Sequence, residues 1–339
     1  MAYIALYRKY RPQTFTDVVG QHQVSDTLMR ASREDKVAHA YLFAGPRGTG
    51  KTSMAKIFAR AINCEQGPTD HPCNECSACK SILSGQSIDV LEIDAASNRG
   101  IDEVRALRES VKFMPVEGRK KVFIIDEAHM LTTEAWNALL KTIEEPPIGV
   151  HIIILCESLE LILDTIKSRC EIYKLTPLTK NELYEYIKIK GFDYNESDIR
   201  SAIAFSEGIP GRIDRYFNDD NLKELRSKLI DLIKDLNKNN VEVILQHEEK
   251  LSGLKDNKEE VLNILGGFIR DILIHKEVEN KDFIINGDKF DDINEMTKEM
   301  SFRKLNNMIM TIEEARKNIK SNVSWVMILR VMLMGFMEG

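Results

Sequence analysis

The sequence contains no apolar run long enough to cross a membrane. A membrane-spanning helix needs about 20 consecutive apolar residues, and the most apolar stretch, residues 323–337, has Arg330 in its middle. We therefore expect residues 323–337 to form a buried helix. A secretory signal peptide is not expected either, because the few apolar residues at the start precede Arg8 and Lys9, whereas a signal peptide begins with its basic residues. The expected location is the cytoplasm.

An excess of basic charge is also lacking. The chain of 339 residues has a net charge of −6 at pH 7, so any DNA contact would need a local basic patch or an assembly. Internal repeats and low-complexity tracts are absent as well. Hydrophobic residues make up 43% of the chain and charged residues 29%, as in ordinary globular proteins. The length allows two or three domains.

One segment fits the phosphate-binding loop pattern G-x-x-x-x-G-K-[ST] at every position. Its residues are Gly45, Pro46, Arg47, Gly48, Thr49, Gly50, Lys51 and Thr52. In such a loop, backbone N–H groups point at the β-phosphate, the lysine reaches the β- and γ-phosphate oxygens, and the threonine hydroxyl binds Mg²⁺. The pattern also arises by chance in glycine-rich loops. Here an apolar strand over residues 40–44 precedes it and a helix over residues 53–61 follows it, which favours a nucleoside-triphosphate site.

Two acidic residues follow an apolar strand predicted over residues 122–125. In this position Asp126 can hold Mg²⁺ through water, and Glu127 can orient and deprotonate the attacking water. Adjacent carboxylates at a strand end are also ordinary surface acids, but their pairing with a phosphate-binding loop favours the catalytic interpretation. His129 is interpreted as structural.

Four of the six cysteines are clustered with the spacing C-x8-C-x2-C-x2-C. They are Cys64, Cys73, Cys76 and Cys79. Thiolates this close suit tetrahedral Zn²⁺, and the competing interpretation, a disulfide pair, fits poorly with a cytoplasmic chain. Four protein ligands would leave no position for water, so we predict a structural zinc knuckle. Cys156 and Cys170 are expected to be core residues.

Alternating strand-like and helix-like segments predict an α/β domain up to about residue 178. The strand candidates are residues 41–44, 90–93, 122–125, 151–155 and 171–175. Several are continuous apolar runs, as in a parallel sheet covered on both faces. A small helical unit is predicted over residues 179–220, with Thr179 and Glu182 forming a capping box. The remainder is predicted to be helical and charged, with linkers around residues 237–240 and 280–292.

The arginine in Ser168-Arg169-Cys170 follows a helical stretch predicted over residues 159–167. Arg169 either pairs with a local acid or acts as an arginine finger in the site of a neighbouring subunit, where it would stabilise charge on the transferred phosphoryl group. Sequence periodicity does not choose between these two interpretations.

Together these motifs resemble the AAA+ clamp-loader ATPases, and specifically the gamma/tau subunits of bacterial DNA polymerase III. The resemblance extends to YRKYRPQTF at residues 7–15, DVVGQ at 17–21, HAYLF at 39–43, EIDAAS at 92–97 and NALLKTIEEPP at 137–147. It is dense from residue 3 to about residue 178 and becomes weaker after that. The cysteine cluster lies where this family carries its zinc module.

The resemblance implies an α/β plus all-α architecture in three domains. These are an AAA+ ATPase domain with a parallel sheet and the zinc insertion at 64–79 (residues 1–178), a helical lid (179–220) and a helical collar for oligomerisation (221–339). The implied cofactors are ATP, Mg²⁺ and Zn²⁺. The implied partners are delta, delta-prime and further gamma/tau copies in a pentameric ring, together with the sliding clamp and primer-template DNA, and no membrane. In the family, ATP lets the ring open the clamp, and primed DNA triggers the hydrolysis that releases it.

The N-terminal segment of this family packs around the adenine of ATP. The resemblance therefore assigns ATP contacts to Tyr7, Arg8, Arg11 and Val19. It also assigns the phosphate loop and both acids to catalysis, within DNA polymerase III holoenzyme.

Three further arginines receive roles from the resemblance. Arg169 matches the trans-acting arginine of the Ser-Arg-Cys motif, which favours the finger interpretation. Arg99 and Arg105 match positions near helix starts that face the DNA backbone inside the ring. Such phosphate contacts would be independent of base sequence and sensitive to salt. Solvated surface arginines are an equally supported interpretation of these two.

The chain departs from the family pattern at two sensor positions. Cys156 and Glu157 replace two threonines, one of which senses the γ-phosphate in the family. The lid has Gly211 where an arginine is expected, as in delta-prime subunits, although Arg212 or Arg215 could still reach the phosphates. Also, the long tail of the tau form is not part of this sequence. The preferred function is an ATP-hydrolysing clamp-loader subunit, and the alternative is a delta-prime-like stator with little or no ATP turnover.

Overall fold

A computed structural model describes residues 11–97, 101–111, 113–192, 194–237, 241–254, 257–278, 280–321 and 323–337. Contacts divide the chain into two compact units. The first runs to Lys190 and includes Gly208–Gly211, and the second consists of Gly191–Glu207 and Arg212–Gly339. The three-domain division predicted from the sequence is not tested by this division and stays a prediction. Among the described helices, none combines the length and apolar character that crossing a bilayer requires.

A parallel five-stranded sheet forms the centre of the first unit. Its strands are β1 (Ala40–Ala44), β2 (Val90–Asp94), β3 (Lys121–Asp126), β4 (Val150–Cys156) and β5 (Glu171–Lys174), in the order β2-β3-β4-β1-β5. Each predicted strand is confirmed to within about one residue at either end. Strands β1, β3 and β4 contain apolar stretches and are buried except at Asp126, as expected for a sheet covered on both faces. The loops after β1 and β3 therefore leave the same edge of the sheet, on either side of β4.

Helices cover both faces of this sheet. The bounds are α1 (His22–Arg33), α2 (Lys51–Asn63), α3 (Ser77–Ser84), α4 (Ile101–Ser110), α5 (Thr133–Glu144), α6 (Asp164–Lys167) and α7 (Lys180–Lys190). Because successive strand residues point to opposite faces, Tyr41 and Phe43 pack with α1 and α2. Leu42 and Phe123 pack on the other side with α4 and α5. The first unit thus has one core on each face of the sheet.

The helix predicted over residues 159–167 is wrong as a single element. The structure has a 3₁₀ turn, Leu159–Leu161, and then the four-residue helix α6. Between them Ile162 is extended and its side chain is 3% exposed. Burial of Ile162 in the core therefore interrupts the helical periodicity. The capping box predicted at the start of α7 is confirmed, since Glu182 Oε2 accepts from the backbone N–H of Thr179 at 2.7 Å.

The second unit is helical. Its helices are α8 (Glu196–Ser206), α9 (Pro210–Asn218), of which the first two residues belong to the first unit, α10 (Asp220–Asn237), α11 (Val241–Ser252), α12 (Lys258–Val278), α13 (Phe290–Glu299), α14 (Phe302–Lys320) and α15 (Trp325–Met337). One apolar core joins α10 to α15, from Leu222 to Phe336, and Phe205 of α8 packs against it. Helix α15 is the predicted terminal helix, but only one face of it is buried, because Met327, Val331 and Met334 are exposed. Its Arg330 pairs with Glu248 at 2.7 Å.

The linker predicted over residues 280–292 contains local structure. Two 3₁₀ turns, Lys281–Phe283 and Gly287–Lys289, lead into α13, which begins at Phe290. Asp271, which is fully buried, accepts the backbone N–H groups of Ile285 and Asn286 at 3.1 and 2.7 Å. A buried acid from α12 thus orders a polar segment whose composition favours a linker.

Candidate active site and metal centre

The phosphate-binding loop connects β1 to α2 at the carboxyl edge of the sheet. Gly48 and Gly50 have φ values of 88° and 99°, which glycine adopts without the penalty that other residues incur. Gly50 immediately precedes α2, so the unpaired N–H groups of the first turn of α2 face the loop, as anion binding at a helix start requires. At Gly45 a Cβ atom would lie 2.3 Å from the carbonyl oxygen of Leu175. The glycines of the motif are therefore needed for backbone geometry.

Lys51 is held within the loop itself. Its Nζ donates to the carbonyl oxygens of Gly45 and Pro46 at 2.6 and 3.1 Å, and the residue is 6% exposed. Burial lowers the pKa of Lys51, and the carboxylates of Glu127 and Asp126 oppose that change. The ammonium group is thus supported by neutral carbonyl groups, which phosphate oxygens can replace.

The two acids predicted to be catalytic lie at the end of β3, beside the start of α2. Thr52 Oγ1 donates to Asp126 Oδ2 at 2.8 Å. The structure therefore brings together the two residues predicted to bind Mg²⁺. Glu127 has a φ of 48°, and its N–H donates to Asp126 Oδ1 at 2.8 Å. This left-handed conformation costs about 1–3 kcal/mol for a residue other than glycine, and such strain is typical of functional sites.

His129 lies beside Glu127 and is mostly buried. Its Nδ1 is 3.6 Å from Glu127 Oε2, and it has no hydrogen-bond partner among the described residues. The contact is too long for a hydrogen bond, and the predicted structural role of His129 stays a prediction.

Cys156 ends β4 between the phosphate loop and the acids. It is opposite Ala44 in the parallel register and is fully buried. Burial raises the pKa of the Cys156 thiol to about 11, so the group is a neutral thiol. The expectation that Cys156 is a core residue is confirmed. Glu157, the other residue at this sensor position, is exposed.

Arg169 lies just after α6 and contacts its own subunit. Its Nη2 is 2.8 Å from Glu144 Oε1, and its Nη1 donates to the carbonyl oxygen of Thr165 at 2.8 Å. The side chains of Arg169 and Glu144 are 37% and 43% exposed. The local acid considered in the sequence analysis is therefore Glu144, and the trans-acting role of Arg169 stays a prediction.

The described part of the N-terminal segment begins at Arg11. Arg11 and Val19 are half-buried, while Tyr7 and Arg8 lie outside the described residues. Gln21 joins this segment to the chain after β5, because its amide donates to the carbonyl oxygen of Thr176 at 2.7 Å. Apart from the DVVGQ motif, nothing in the sequence indicated this contact between Gln21 and Thr176.

Some residues of the predicted lid lie beside the phosphate loop. A Cβ atom on Gly211 would lie 3.7 Å from the Gly48 carbonyl oxygen, an ordinary van der Waals distance. Arg212 pairs with Glu207, and Arg215 pairs with Asp219 and Glu260 in the second unit. Contacts of Arg212 and Arg215 with phosphate stay predictions.

The four clustered cysteines converge on one point. Cys64 follows α2 directly, Cys73 lies in the loop, Cys76 caps α3, and Cys79 lies in its first turn. Their sulfur atoms all lie within 4.8 Å of one another. In a tetrahedral site with Zn–S bonds of about 2.3 Å, the sulfurs lie about 3.8 Å apart. Cys73 and Cys79 have a Sγ–Sγ distance of 4.0 Å, far beyond the ~2.05 Å of a disulfide.

Backbone N–H groups support the sulfurs of this cluster. Cys76 N–H donates to Cys73 Sγ at 3.3 Å, and Cys79 N–H donates to Cys76 Sγ at 3.4 Å. The backbone N–H groups of Cys76 and Glu75 lower the pKa of Cys73 to about 6, while burial raises the pKa values of Cys64 and Cys79. The donor set of four thiols fits a closed structural zinc site.

The two predicted DNA contacts are only partly visible. Arg105 is exposed on α4, and Arg99 lies outside the described residues. A DNA contact for either one stays a prediction.

Arg60 is a buried charge that the sequence analysis did not single out. It is 1% exposed in α2 and donates to Gln13 and Asn74. The only signal was a single arginine inside the apolar run from Ile57 to Ile62.

The chain is similar to known subunits of DNA polymerase III. A family model described as "DNA polymerase III, delta subunit" matches residues 20–179, and one described as "DNA polymerase III, delta subunit, C terminal" matches residues 220–336. The tau subunit of DNA polymerase III from Bacillus subtilis is 37% identical over 343 residues, covering 94% of this chain and 61% of that protein. The gamma/tau subunit from Mycobacterium tuberculosis is 51% identical over 172 residues, covering 50% of this chain and 30% of that protein.

A solved structure supports the fold. A DNA polymerase III gamma subunit-related protein from Thermotoga maritima is similar with a TM-score of 0.50 and 17% identity, covering 93% of this chain and 98% of that one. The chain spans 61% or less of the two curated relatives described above. Together with the phosphate loop and the two acids at one edge of the parallel sheet, these matches make the chain similar to the gamma/tau-type subunits of the DNA polymerase III clamp loader.

Proposed function

We propose that this chain binds and hydrolyses ATP as a subunit of the DNA polymerase III clamp loader in the cytoplasm. In this role it loads the sliding clamp onto primer-template DNA during replication. The observation that carries the proposal is the 2.8 Å hydrogen bond between Thr52 and Asp126, next to Lys51 and Glu127. A phosphate loop and two acids meet there at the carboxyl edge of a parallel sheet, as phosphoryl transfer requires.

Each residue of this edge has a proposed task. Backbone N–H groups from Gly48 to Thr52 hold the β-phosphate, and Lys51 exchanges its carbonyl partners for β- and γ-phosphate oxygens. Thr52 and Asp126 hold Mg²⁺, which neutralises charge on the phosphates. Glu127 orients the attacking water and accepts its proton.

The adenine end of ATP is assigned to the N-terminal segment. Arg11 and Val19, with Tyr7 and Arg8, would contact the nucleotide there. In the lid, Arg212 and Arg215 are weaker candidates for phosphate contacts, because each already has acidic partners. Zn²⁺ is proposed as a structural ion at the four cysteines.

Arg169 is proposed to complete the site of a neighbouring subunit. Its contact with Glu144 is a half-exposed ion pair, and such pairs contribute only about 0.2–1 kcal/mol. A phosphate group of a neighbour can therefore replace Glu144 at little cost. The neighbours would be delta, delta-prime or further gamma/tau copies in a pentameric ring, and Arg99 and Arg105 are candidates for contacts with the enclosed DNA.

A delta-prime-like stator with little or no ATP turnover is the second candidate. Two observations favour it. Cys156 presents a buried neutral thiol where the family has a threonine, and Gly211 stands at the lid position where an arginine is expected. The intact Lys51 and Glu127 argue against it, because a scaffold does not require them.

ATP turnover distinguishes the two candidates. We would measure it with the purified chain alone and then with delta, delta-prime, clamp and primed DNA. For the first candidate, an ATP-hydrolysing subunit, we expect ATP turnover to rise when clamp and DNA are added. The Glu127→Gln variant should lower it by about 10²–10⁴-fold, the contribution of a general base, and should retain ATP binding. Tight binding of ATP without stimulated turnover would overturn the ATP-hydrolysing role and support the stator role.

A further inference from the structure

Arg60 connects three parts of the first unit. It lies near the end of α2, the helix that begins with Lys51 and Thr52, and it is among the largest fully buried side chains. Its Nη1 donates to Asn74 Oδ1 at 2.7 Å and to Gln13 Oε1 at 3.1 Å, and its Nη2 donates to the Gln13 carbonyl oxygen at 2.9 Å. Asn74 lies in the cysteine knuckle, and Gln13 lies in the N-terminal segment. One guanidinium thus joins the phosphate-loop helix, the knuckle and this segment.

The charge of Arg60 has no carboxylate partner at ion-pair distance among the described residues. Its hydrogen-bond acceptors are neutral amide and carbonyl oxygens. Removing a charged group from water is costly unless it is compensated. Burial lowers the pKa of Arg60. Four thiolates around one Zn²⁺ would carry a net charge of −2, so a zinc-loaded knuckle, reached through Asn74, would compensate the charge of Arg60.

We propose that Arg60 is a positioning residue that couples the zinc knuckle to the nucleotide site, so that zinc and nucleotide each bind more tightly when the other is bound. The proposal rests on the nucleotide site proposed above. The path runs through Gln13, whose side-chain amide donates to the Arg11 carbonyl oxygen at 3.0 Å. A nucleotide held by Arg11 and its neighbours orders Gln13, and Gln13 in turn holds Arg60 against Asn74.

This coupling is reciprocal by thermodynamic necessity. The factor by which nucleotide strengthens zinc binding equals the factor by which zinc strengthens nucleotide binding. Both factors are measurable on the full chain without any turnover. Zinc affinity would be measured by equilibrium competition with a chromogenic chelator, and zinc release would be followed with the same chelator, each with and without saturating Mg-ADP. The affinity for a fluorescent ADP analogue would be measured on zinc-loaded and zinc-depleted protein.

We expect Mg-ADP to tighten zinc binding at least about fivefold, which also slows zinc release, and zinc to tighten ADP binding by the same factor, at the lower limit of measured couplings. Zinc release that is unchanged by saturating ADP would overturn the coupling and leave the nucleotide site intact. Failure of the zinc-loaded chain to bind ADP at all would overturn the proposed function together with the coupling.

The variants act on the partners of Arg60, because removing a buried arginine endangers folding. Asn74 has a φ of 62°, so Asn74→Gly removes the acceptor and keeps a favourable backbone. We expect zinc release about tenfold faster in this variant, as for other residues that support metal ligands, and no further dependence on ADP. Gln13→Ala should also abolish the ADP dependence.

Two controls separate coupling from a merely structural role. Asn74→Asp retains an acceptor for Arg60 and should retain the ADP dependence of zinc release. Lys80→Ala changes an exposed residue of the same knuckle and should alter neither binding event. Faster zinc release in Asn74→Gly with an undiminished response to ADP would overturn the role of Arg60 in coupling.

Discussion

The two ends of helix α2 hold polar groups in opposite ways. At its start, Lys51 and Thr52 are bound to groups that a ligand can replace, namely two loop carbonyls and the Asp126 carboxylate. At its end, Arg60 is enclosed by Gln13 and Asn74, beside four converging thiols. The comparison shows that the side chains of a ligand site hydrogen-bond to groups that the ligand can replace. The buried side chain of a structural site hydrogen-bonds to groups of the protein that stay in place.

The largest expected effect is on ATP turnover and concerns Arg169, whose contact with Glu144 is also one that a ligand can replace. Arg169→Ala should lower the turnover of the assembled ring by about 10³-fold or more, because an arginine finger stabilises transition-state charge. Binding of ADP by the isolated chain should remain, since Arg169 contacts Glu144 and Thr165 there. Steady-state turnover of the reconstituted ring is the measurement.

Glu144→Gln is the matched control for Arg169→Ala. It removes the ion-pair partner of Arg169 and leaves the guanidinium in place, so turnover should stay within a few-fold of the unchanged ring, given the ~0.2–1 kcal/mol of an exposed pair. Equal turnover in rings with Arg169→Ala and without it would show that the contact with Glu144 is all that Arg169 does.

An intermediate effect, on the stability of the first unit, is expected at the cysteine cluster that follows the end of α2. Removal of zinc, or Cys76→Ser, should destabilise the first unit by about 4 kcal/mol, in the range to which loss of a metal belongs. The chain has two tryptophans, buried Trp136 in the first unit and buried Trp325 in the second. Urea unfolding of the Trp325→Phe variant, followed by Trp136 fluorescence, reports on the first unit.

In the same experiment, a Trp136→Phe variant retains Trp325 as the reporter of the second unit. Its transition should not move when zinc is removed. An equal loss of stability reported by Trp136 and Trp325 would show that zinc stabilises both units. The cysteine cluster would then not be a local structural site of the first unit.

The smallest effect is expected at Cys156. Cys156→Ser places a hydroxyl group where the thiol now ends β4. One net hydrogen bond to the γ-phosphate contributes about 0.5–1.5 kcal/mol, so the preference for ATP over ADP should rise roughly 2- to 12-fold. Cys156→Ala, which has no hydroxyl, should not raise it, and equal preferences in both variants would contradict a sensing role at this position. Calorimetric titration with both nucleotides measures the preference.

Much of the first unit could be predicted from local sequence. Strands β1, β3 and β4 are uniform apolar runs, and parallel strands bring their carboxyl ends to one edge, so the meeting of Thr52 with Asp126 followed from the strand assignments. The zinc cluster followed from spacing alone. These features depend on residues near one another in sequence or on one topological rule.

Other features depend on contacts between distant segments and had no local signal. Glu144 and Arg169 lie on different elements, and both are half-exposed, so no periodicity pairs them. Arg60 appears as an ordinary helix residue until the knuckle and Gln13 enclose it. Ile162 interrupts a predicted helix because its side chain is buried in the core of the first unit. In each case tertiary packing decides what propensity leaves open.

The position of β1 inside the sheet has a consequence for the order of folding during synthesis. Its neighbours are β4 and β5, and Cys156, the partner of Ala44, emerges from the ribosome long after it. At about 5–20 residues per second, β1 waits roughly 6–22 s before β4 is complete. The four clustered cysteines are synthesised within that interval. We expect the knuckle to take up its metal on the nascent chain and to hold the end of α2 before the sheet closes.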